Sequence, residues 1–291
     1  MRPATTLAAM RILITGAGGM LGVDLRLAAE AAGHETVTPS RLQLDVCDRA
    51  AVAAAVTAAA PDVVVNCAAW TDVDGAEEEP AGAMQVNGTG AGNVAAAAAA
   101  AGAWTLHISS DYVFDGTATR PYVESDPVGP LGAYGQSKLA GERAVAHAAG
   151  ERATVVRSSW LFGTHGRCFP KTILRLAAER DHIDVVADQV GCPTFTGHLA
   201  QALVKLAVEP IPGVLHVVGS GSCSWLEFAR EIVARAGLEC EVRPIASELY
   251  PTPTQRPAYS VLGTEREAPP LPDWHEGLRS FMADLAPGVT A

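Results

Sequence analysis

The strand-like run Arg11-Ile12-Leu13-Ile14-Thr15 passes directly into Gly16-Ala17-Gly18-Gly19-Met20-Leu21-Gly22, which sets glycines at 16, 19 and 22 ahead of a helical segment. A strand, a glycine turn and a helix in that order open a parallel sheet, because the chain must cross one sheet face before laying down the next strand. In this context Gly16 permits the tight turn, Gly19 removes a side chain where a phosphate would sit, and Gly22 lets the helix pack closely on the strand. The helix start adds unpaired N–H groups and a favourable dipole for an anion. The loop therefore points to a dinucleotide, with Gly16, Gly19, Met20 and Leu21 as candidate contacts.

The rest of the first half keeps the alternation. Strands are expected over 12–15, 35–38, 42–44, 62–66, 105–109 and 154–157, with helices over 20–32, about 49–59, 76–101 and 134–149. Within the long helix, Met84 and Val86 read as core. Beyond Trp160, proline and glycine become frequent, and the pattern loosens into what suits long loops. The expected architecture is α/β: a doubly wound parallel sheet of Rossmann type over 10–160, and mainly a smaller C-terminal substrate-binding lobe over 161–291. A strand near 214–218 is expected to return to the main sheet, and a short helix to close the chain over 274–285.

Composition narrows the class. A net charge of −11 without clustered Lys and Arg argues against nucleic-acid binding. No apolar run reaches the length of a membrane span, and the first ten residues lack the apolar segment of a secretion signal, so a cytoplasmic protein is expected, with Met1 or Met10 as its start. Six scattered cysteines without Cys-x-x-Cys or metal-ligand spacing read as reduced, mostly buried thiols, and no metal site is expected. Aromatics make up only 5% of a chain that is 48% hydrophobic and contains seven consecutive alanines at 95–101, which favours helices packed through small side chains.

Cofactor choice turns on the end of the second strand. An acidic residue there would grip a ribose 2′-hydroxyl and repel a 2′-phosphate, but the sequence reads Thr38-Pro39-Ser40-Arg41. Ser40 and Arg41 can hold a phosphate, so NADPH is expected, with NADH possible and a purely solvated Arg41 as the plain alternative. Asp45 is placed to bond an adenine amino group, with Val46 beside it. Ala68 and Ala69, followed by Trp70, are small enough to let a nicotinamide ribose lie close. Asn87 reads equally as a group orienting backbone or water near the cofactor and as a satisfied helix amide.

The chemistry is carried by His107-Ile108-Ser109-Ser110-Asp111-Tyr112, at the carboxyl end of a predicted strand, and by Tyr134-Gly135-Gln136-Ser137-Lys138. A helix puts Tyr134 and Lys138 on one face. A phenol titrates near ~10 and exchanges protons poorly at neutral pH unless a cation stabilises its anion, which Lys138 could do. Alone, such a pair commonly marks a solvated face. With Ser110 added, the chain offers a hydroxyl for a carbonyl oxygen, an acid to protonate it and a cation to tune the acid, a set suited to reducing a ketone with a hydride.

Together, the glycine loop, the Tyr-x-x-x-Lys pair and the Ser-Asp-Tyr-Val-Phe-Asp-Gly segment at 110–116 resemble the extended short-chain dehydrogenases/reductases. More narrowly, they resemble the dTDP-4-dehydrorhamnose reductase family. Further matches are 61–66, 68–74 with Ala76-Glu77, Arg157-Ser158-Ser159-Trp160, Asp188-Gln189 with Gly191 and Pro193-Thr194, and Tyr250-Pro251-Thr252-Pro253 with Arg256-Pro257, so the likeness spans about 11–285. The resemblance implies that Tyr134 protonates the C4 oxygen of a dTDP-linked 4-keto-6-deoxysugar while nicotinamide delivers hydride. It implies that Lys138 holds the nicotinamide ribose and that Asp111, Trp160 and Arg256 contact the sugar nucleotide. Ser110 stands where the family usually has Thr, which keeps the hydroxyl. Some members use magnesium at a carboxylate-built dimer contact; this chain has His198 there, so a monomer or a magnesium-free homodimer is expected. The competing readings are a dehydratase or epimerase, disfavoured because Tyr112 replaces the second acid after Asp111, a reductase of another antibiotic deoxysugar, and a binding subunit resembling the methionine adenosyltransferase beta subunit.

Overall fold

In the computed structural model, which describes residues 9–285, Ile12, Leu13 and Ile14 have no exposed surface because β1 (Arg11–Thr15) lies inside a sheet covered on both faces. β2 (Glu35–Val37), β3 (Val63–Asn66), β4 (Trp104–Ser110) and β5 (Ala153–Ser158) join it, and the sixth strand, Gly213–His216, comes from the second half of the chain. The spatial order is Gly213–His216, β5, β4, β3, β1, β2, and every pairing is parallel.

Strand period two divides the core. Ile12, Ile14, Val63 and Val65 face one side, where Leu21 and Leu25 of α1 (Met20–Ala31) meet Leu199 and Leu203 of the Thr196–Val208 helix. Leu13 and Val64 face the other, against Val52 and Val56 of α2 (Arg49–Ala59) and Val94 of the Ala91–Ala100 helix. Each fully buried aliphatic side chain contributes about 1.5–3 kcal/mol before entropy is counted. The register aligns Thr15 with Asn66, Asn66 with His107, and Ser110 with Ser158, so the carboxyl ends of four strands form one rim.

Two expected elements are absent. The 42–44 segment is a turn: Gln43 and Leu44 both donate their N–H to the Ser40 carbonyl, and Leu42 is fully exposed while Leu44 is buried. From this turn Leu44 and Val46 insert into the core at the two-residue spacing of a strand, and Asp45 between them sits on a loop. The single helix expected over 76–101 is four pieces, Gly75–Glu78, Pro80–Met84, a π-helical Gln85–Gly90 and Ala91–Ala100. Pro80 lacks the N–H needed to continue the first piece. The wide π turn puts Gly90 against Val46, where a Cβ would come within 2.8 Å of Val46 Cγ2. Met84 is 39% exposed and not core.

The second half builds a separate, aromatic core from Phe162, Phe195, Phe228, Trp274 and Phe281. Short strand pairs surround it: His182–Val186 with Glu241–Ile245, Val190–Gly191 with Cys223–Ser224, and Leu161–Phe162 with Thr194–Phe195. A capping box of Ser224 and Glu227 starts the Trp225–Ala236 helix, and left-handed Gly237 ends it. The last described helix is Trp274–Asp284. All six cysteines are free thiols; only Cys192 and Cys223 are buried, and the other four are half-buried, contrary to expectation. Among the described residues, no helix is long and apolar enough to cross a membrane.

Candidate active site

Gly16 adopts φ +68° and lies so close to the chain after β3 that a Cβ would come within 2.5 Å of the Ala68 nitrogen. Gly22 is pressed onto the same turn, where a Cβ would meet the Gly16 carbonyl at 2.3 Å. By contrast, a Cβ on Gly18 would meet nothing within 4 Å. Gly19 precedes α1 as its N-cap and supplies no side-chain cap, and the first turn holds no acidic residue. The loop thus leaves open space over a helix start with unpaired N–H groups, which fits a pyrophosphate. Leu21 turns its side chain into the core, so only its backbone can serve a ligand, and the Met20 side chain lies against Gly163.

Around this loop, the other expected cofactor contacts differ in freedom. Arg41 is exposed and makes no side-chain bond among the described residues. Asp45 Oδ1 accepts from the Cys47 N–H at 2.9 Å, and the Val46 carbonyl accepts from Asn93 at 3.0 Å. Ala68 N–H donates to Asn66 Oδ1 (3.3 Å), which also accepts from Thr15 Oγ1 (2.6 Å), tying β1 to the end of β3. Trp70 is clamped by buried Asn87, which accepts its N–H at 2.8 Å and donates to its carbonyl at 3.1 Å. Asn87 also donates to Ser137 Oγ at 2.9 Å, and Ser137 in turn donates to the Tyr134 carbonyl at 2.7 Å. Asn87 is thus a satisfied amide on a helix that also fixes the backbone at Trp70; Ala69 sits half-buried between these anchors.

At the end of β4, Ser110 Oγ donates to Asp111 Oδ1 (3.0 Å) and accepts from the Tyr112 N–H (3.2 Å). Asp111 is 1% exposed, and its Oδ2 is buried without a partner among the described residues. Burial raises its carboxyl to about 6, opposed by the nearby Ser260 and Ser110 hydroxyls. The folded chain therefore holds this proton between about pH 4 and pH 6, where the unfolded chain has lost it. Stability should fall as pH rises through that window, by on the order of 2 kcal/mol for this group. Because carboxylates with lowered values, such as Asp126 and Glu227, act in the opposite direction, the check is the stability difference between the natural chain and Asp111→Asn in denaturant unfolding, which should shift against the natural chain from pH 4 to pH 7.

Tyr134 sits in the first turn of the Ala133–Ala149 helix, its ring edge-to-face with Tyr112 at 5.5 Å. That helix start is fixed by a residue far away in sequence, since Glu77 Oε1 accepts the Ala133 N–H at 2.7 Å. Desolvation pushes the Tyr134 phenol well above its ordinary range; Ser110 works against this as a hydrogen-bond partner, and Asp111 and Tyr112 reinforce it. Lys138, 3% exposed, donates to the Ile108 carbonyl at 2.6 Å. Burial lowers its amine to about 8, with Glu142 and Cys67 opposing. The groups that shift the phenol are Ser110, Asp111 and Tyr112, whereas the amine bonds the Ile108 carbonyl and lies by Glu142 and Cys67. The result is a phenol that keeps its proton and an amine with donors to spare beside the glycine loop.

Trp160 lies two residues beyond β5 with a left-handed backbone, φ +45°, and stacks on Trp225 with centroids 3.4 Å apart. Gly191 permits this, since a Cβ there would strike the Trp160 indole at 2.4 Å. Arg256 donates to Asp74 Oδ2 at 2.8 Å and to the Tyr112 hydroxyl at 3.1 Å. It is therefore linked to the Tyr134 ring through Tyr112. Sequence reasoning assigned no role to Asp74, Glu77, Tyr112 or Trp225; their partners lie 182, 56, 144 and 65 residues away, and no local spacing signals such contacts. Among the described residues, no group of three or more His, Cys, Asp or Glu converges as a metal site, and His198 packs its ring against Phe195.

A family model described as the RmlD substrate binding domain matches residues 10–286. The chain is similar to dTDP-4-dehydrorhamnose reductase of Mycolicibacterium smegmatis, with 46% identity over 97% of this chain and 88% of that protein. It is 41% identical to dTDP-4-keto-6-deoxy-D-glucose reductase of Streptomyces niveus over 92% of this chain and 95% of that one. Among solved structures it resembles dTDP-4-dehydrorhamnose reductase of Bacillus anthracis in complex with NADP, with a TM-score of 0.92 and 37% identity, covering 95% of this chain and 99% of that one.

Proposed function

The chain belongs to the dTDP-4-dehydrorhamnose reductase family, and we propose that it reduces the C4 ketone of dTDP-4-dehydro-β-L-rhamnose to give dTDP-L-rhamnose, with NADPH as reductant. The observation that carries this reading is the juxtaposition of a protonated phenol and a hydroxyl, Tyr134 and Ser110, at the carboxyl end of β4 beside an open glycine cradle. Bound NADPH supplies the hydride.

The chain's own residues supply the rest. Tyr134 donates its proton to the C4 oxygen as negative charge develops there, and desolvation suits it to be a donor by keeping that proton in place. Ser110 turns its one hydroxyl proton from Asp111 Oδ1 to the same oxygen when the ketone binds, while the Tyr112 N–H continues to hold its Oγ. Asp111 is assigned to a sugar hydroxyl; its Oδ2 is the carboxylate oxygen without a partner among the described residues, and the packing that covers it must open to admit that hydroxyl. Lys138 uses one donor on Ile108 and offers the others to the nicotinamide ribose. Gly16, Gly19, Met20 and Leu21 hold the pyrophosphate, Ser40 and Arg41 the 2′-phosphate, Asp45 and Val46 the adenine side, and Ala68, Ala69 and Trp70 the nicotinamide side. Trp160 and Arg256 line the sugar-nucleotide side. The aromatic second core carries the substrate lobe, and the protein works in the cytoplasm as a monomer or homodimer.

The Streptomyces niveus relative favours one second reading, reduction of another dTDP-linked 4-keto sugar. The test is turnover of dTDP-4-dehydro-L-rhamnose with NADPH and with NADH, followed by nicotinamide absorbance, with the product's C4 configuration assigned by NMR. We expect sugar-dependent oxidation, faster with NADPH. Turnover only of a different 4-keto sugar would select the second reading. Tight NADPH binding without turnover of any keto sugar would reject both readings in favour of a binding subunit.

A further inference from the structure

Behind the Tyr134 and Lys138 face of the Ala133–Ala149 helix lies a buried charge cluster that the proposed reaction does not use. Glu142 stands one helical turn beyond Lys138 on the same face, and its side chain is only 6% exposed. Both of its oxygens are engaged: Oε1 accepts from Ser109 Oγ at 2.5 Å and from Arg157 Nε at 2.9 Å, and Oε2 accepts from a second Arg157 nitrogen at 2.8 Å. Arg157, 5% exposed, lies over the Phe114 ring and reaches towards His216, whose Nδ1 is held by the Gly263 carbonyl at 2.7 Å. A two-point clamp of this kind fixes where the carboxylate charge sits. A buried pair is a weak source of net stability, so its presence next to a reactive amine calls for another explanation.

Lys138 is that amine. The titratable side chains facing it are Cys67 after β3, His107 on β4 and Glu142 on its own helix, and its one hydrogen bond is to the Ile108 carbonyl. Burial holds the Cys67 thiol up, at about 12, and it holds the His107 ring neutral, with Nδ1 beside the Asn66 amide. Neither carries a negative charge at neutral pH, which leaves Glu142 as the carboxylate beside the amine, with the Arg157 guanidinium paired to it as the opposing charge. We propose that Glu142, clamped by Arg157 and Ser109, is a positioning residue that keeps the buried Lys138 amine protonated and so preserves its charge for the ligand it holds. This deepens the proposed function, because the ligand is the nicotinamide ribose of that reading.

The test does not require turnover. The chain has three lysines, Lys138, Lys171 and Lys205, so the protein labelled with 13C at the lysine ε-carbon gives three signals to titrate, and the one missing from Lys138→Arg identifies Lys138. In the natural chain the Lys138 signal should titrate below the other two. Glu142→Gln should move it down by about one pH unit or more, whereas Glu142→Asp, which keeps the charge, should leave it near its natural position even where both variants lose stability. If Glu142→Gln strands Arg157 and fails to fold, Glu142→Gln combined with Arg157→Gln is compared with Arg157→Gln alone, two chains that differ only in the carboxylate, and the double variant should titrate lower than that single one. An unchanged Lys138 titration in the charge-removing variant that folds would overturn the proposal, whether or not any keto sugar is reduced. In NADPH turnover, the alkaline limb of the pH profile should move with the NMR titration. A moved titration with no turnover of any keto sugar by the natural chain would sink the reductase reading and leave this one standing.

Discussion

Tyr134→Phe should lower turnover of the 4-keto sugar by about 10²–10⁴-fold, the usual worth of a positioned general acid, while NADPH binds as before. The substitution removes one oxygen and keeps the ring that packs edge-to-face on Tyr112, so helix position and thermal stability should be unchanged. Ser110 would still donate a hydrogen bond to the carbonyl oxygen, but an aliphatic hydroxyl is a far weaker acid than a phenol, which is why it should not rescue the rate. Steady-state rates beside a fluorescence titration of NADPH separate the two effects. A full rate in the Phe variant would mean that another group protonates the oxygen.

Gly16→Ala should have the second-largest effect, this time on the cofactor. The left-handed backbone at Gly16 costs an L-residue roughly 1–2 kcal/mol, and its methyl group would press on the backbone at Ala68, which cannot swing aside as a side chain could. Either the turn or the strand-end segment carrying Ala68 must move, and both are assigned to the dinucleotide. An NADPH dissociation constant at least ~30-fold higher is expected, with a lower melting temperature. Gly18→Ala is the matched control, since a methyl there meets no protein atom within 4 Å and should leave the melting temperature unchanged. Equal melting temperatures and equal affinities in both variants would contradict the assignment of the loop.

The parts of the fold visible in the sequence are those with one dominant local cause. β1 and β3 are continuous apolar runs because both their faces are buried, and the Ala133–Ala149 helix follows a glycine-rich, proline-marked turn. The 42–44 segment misleads because a turn can insert alternate residues into a core as a strand does. The 76–101 helix misleads because alanine favours helix everywhere, whereas Pro80 cannot donate the N–H that would continue the first piece and the π turn packs Gly90 against Val46. At the site, Ser110, Tyr134 and Lys138 are legible as residue types at fixed spacings. What surrounds them is not: Glu77 on the Ala133 N–H, Arg256 between Asp74 and Tyr112, and Trp225 beneath Trp160 are pairings made by the tertiary fold. The direction in which Lys138 points also depends on the Ile108 carbonyl, which no motif records.

The most direct check on the account uses NADPH carrying deuterium on the transferable face of the nicotinamide ring, incubated with the protein and dTDP-4-dehydro-L-rhamnose. Deuterium should appear at C4 of the dTDP-linked product and at no other carbon, in an amount equal to the NADPH consumed. NADPH oxidised without deuterium at that carbon, or a reduced sugar carrying label elsewhere, would contradict hydride delivery to the ketone beside Tyr134.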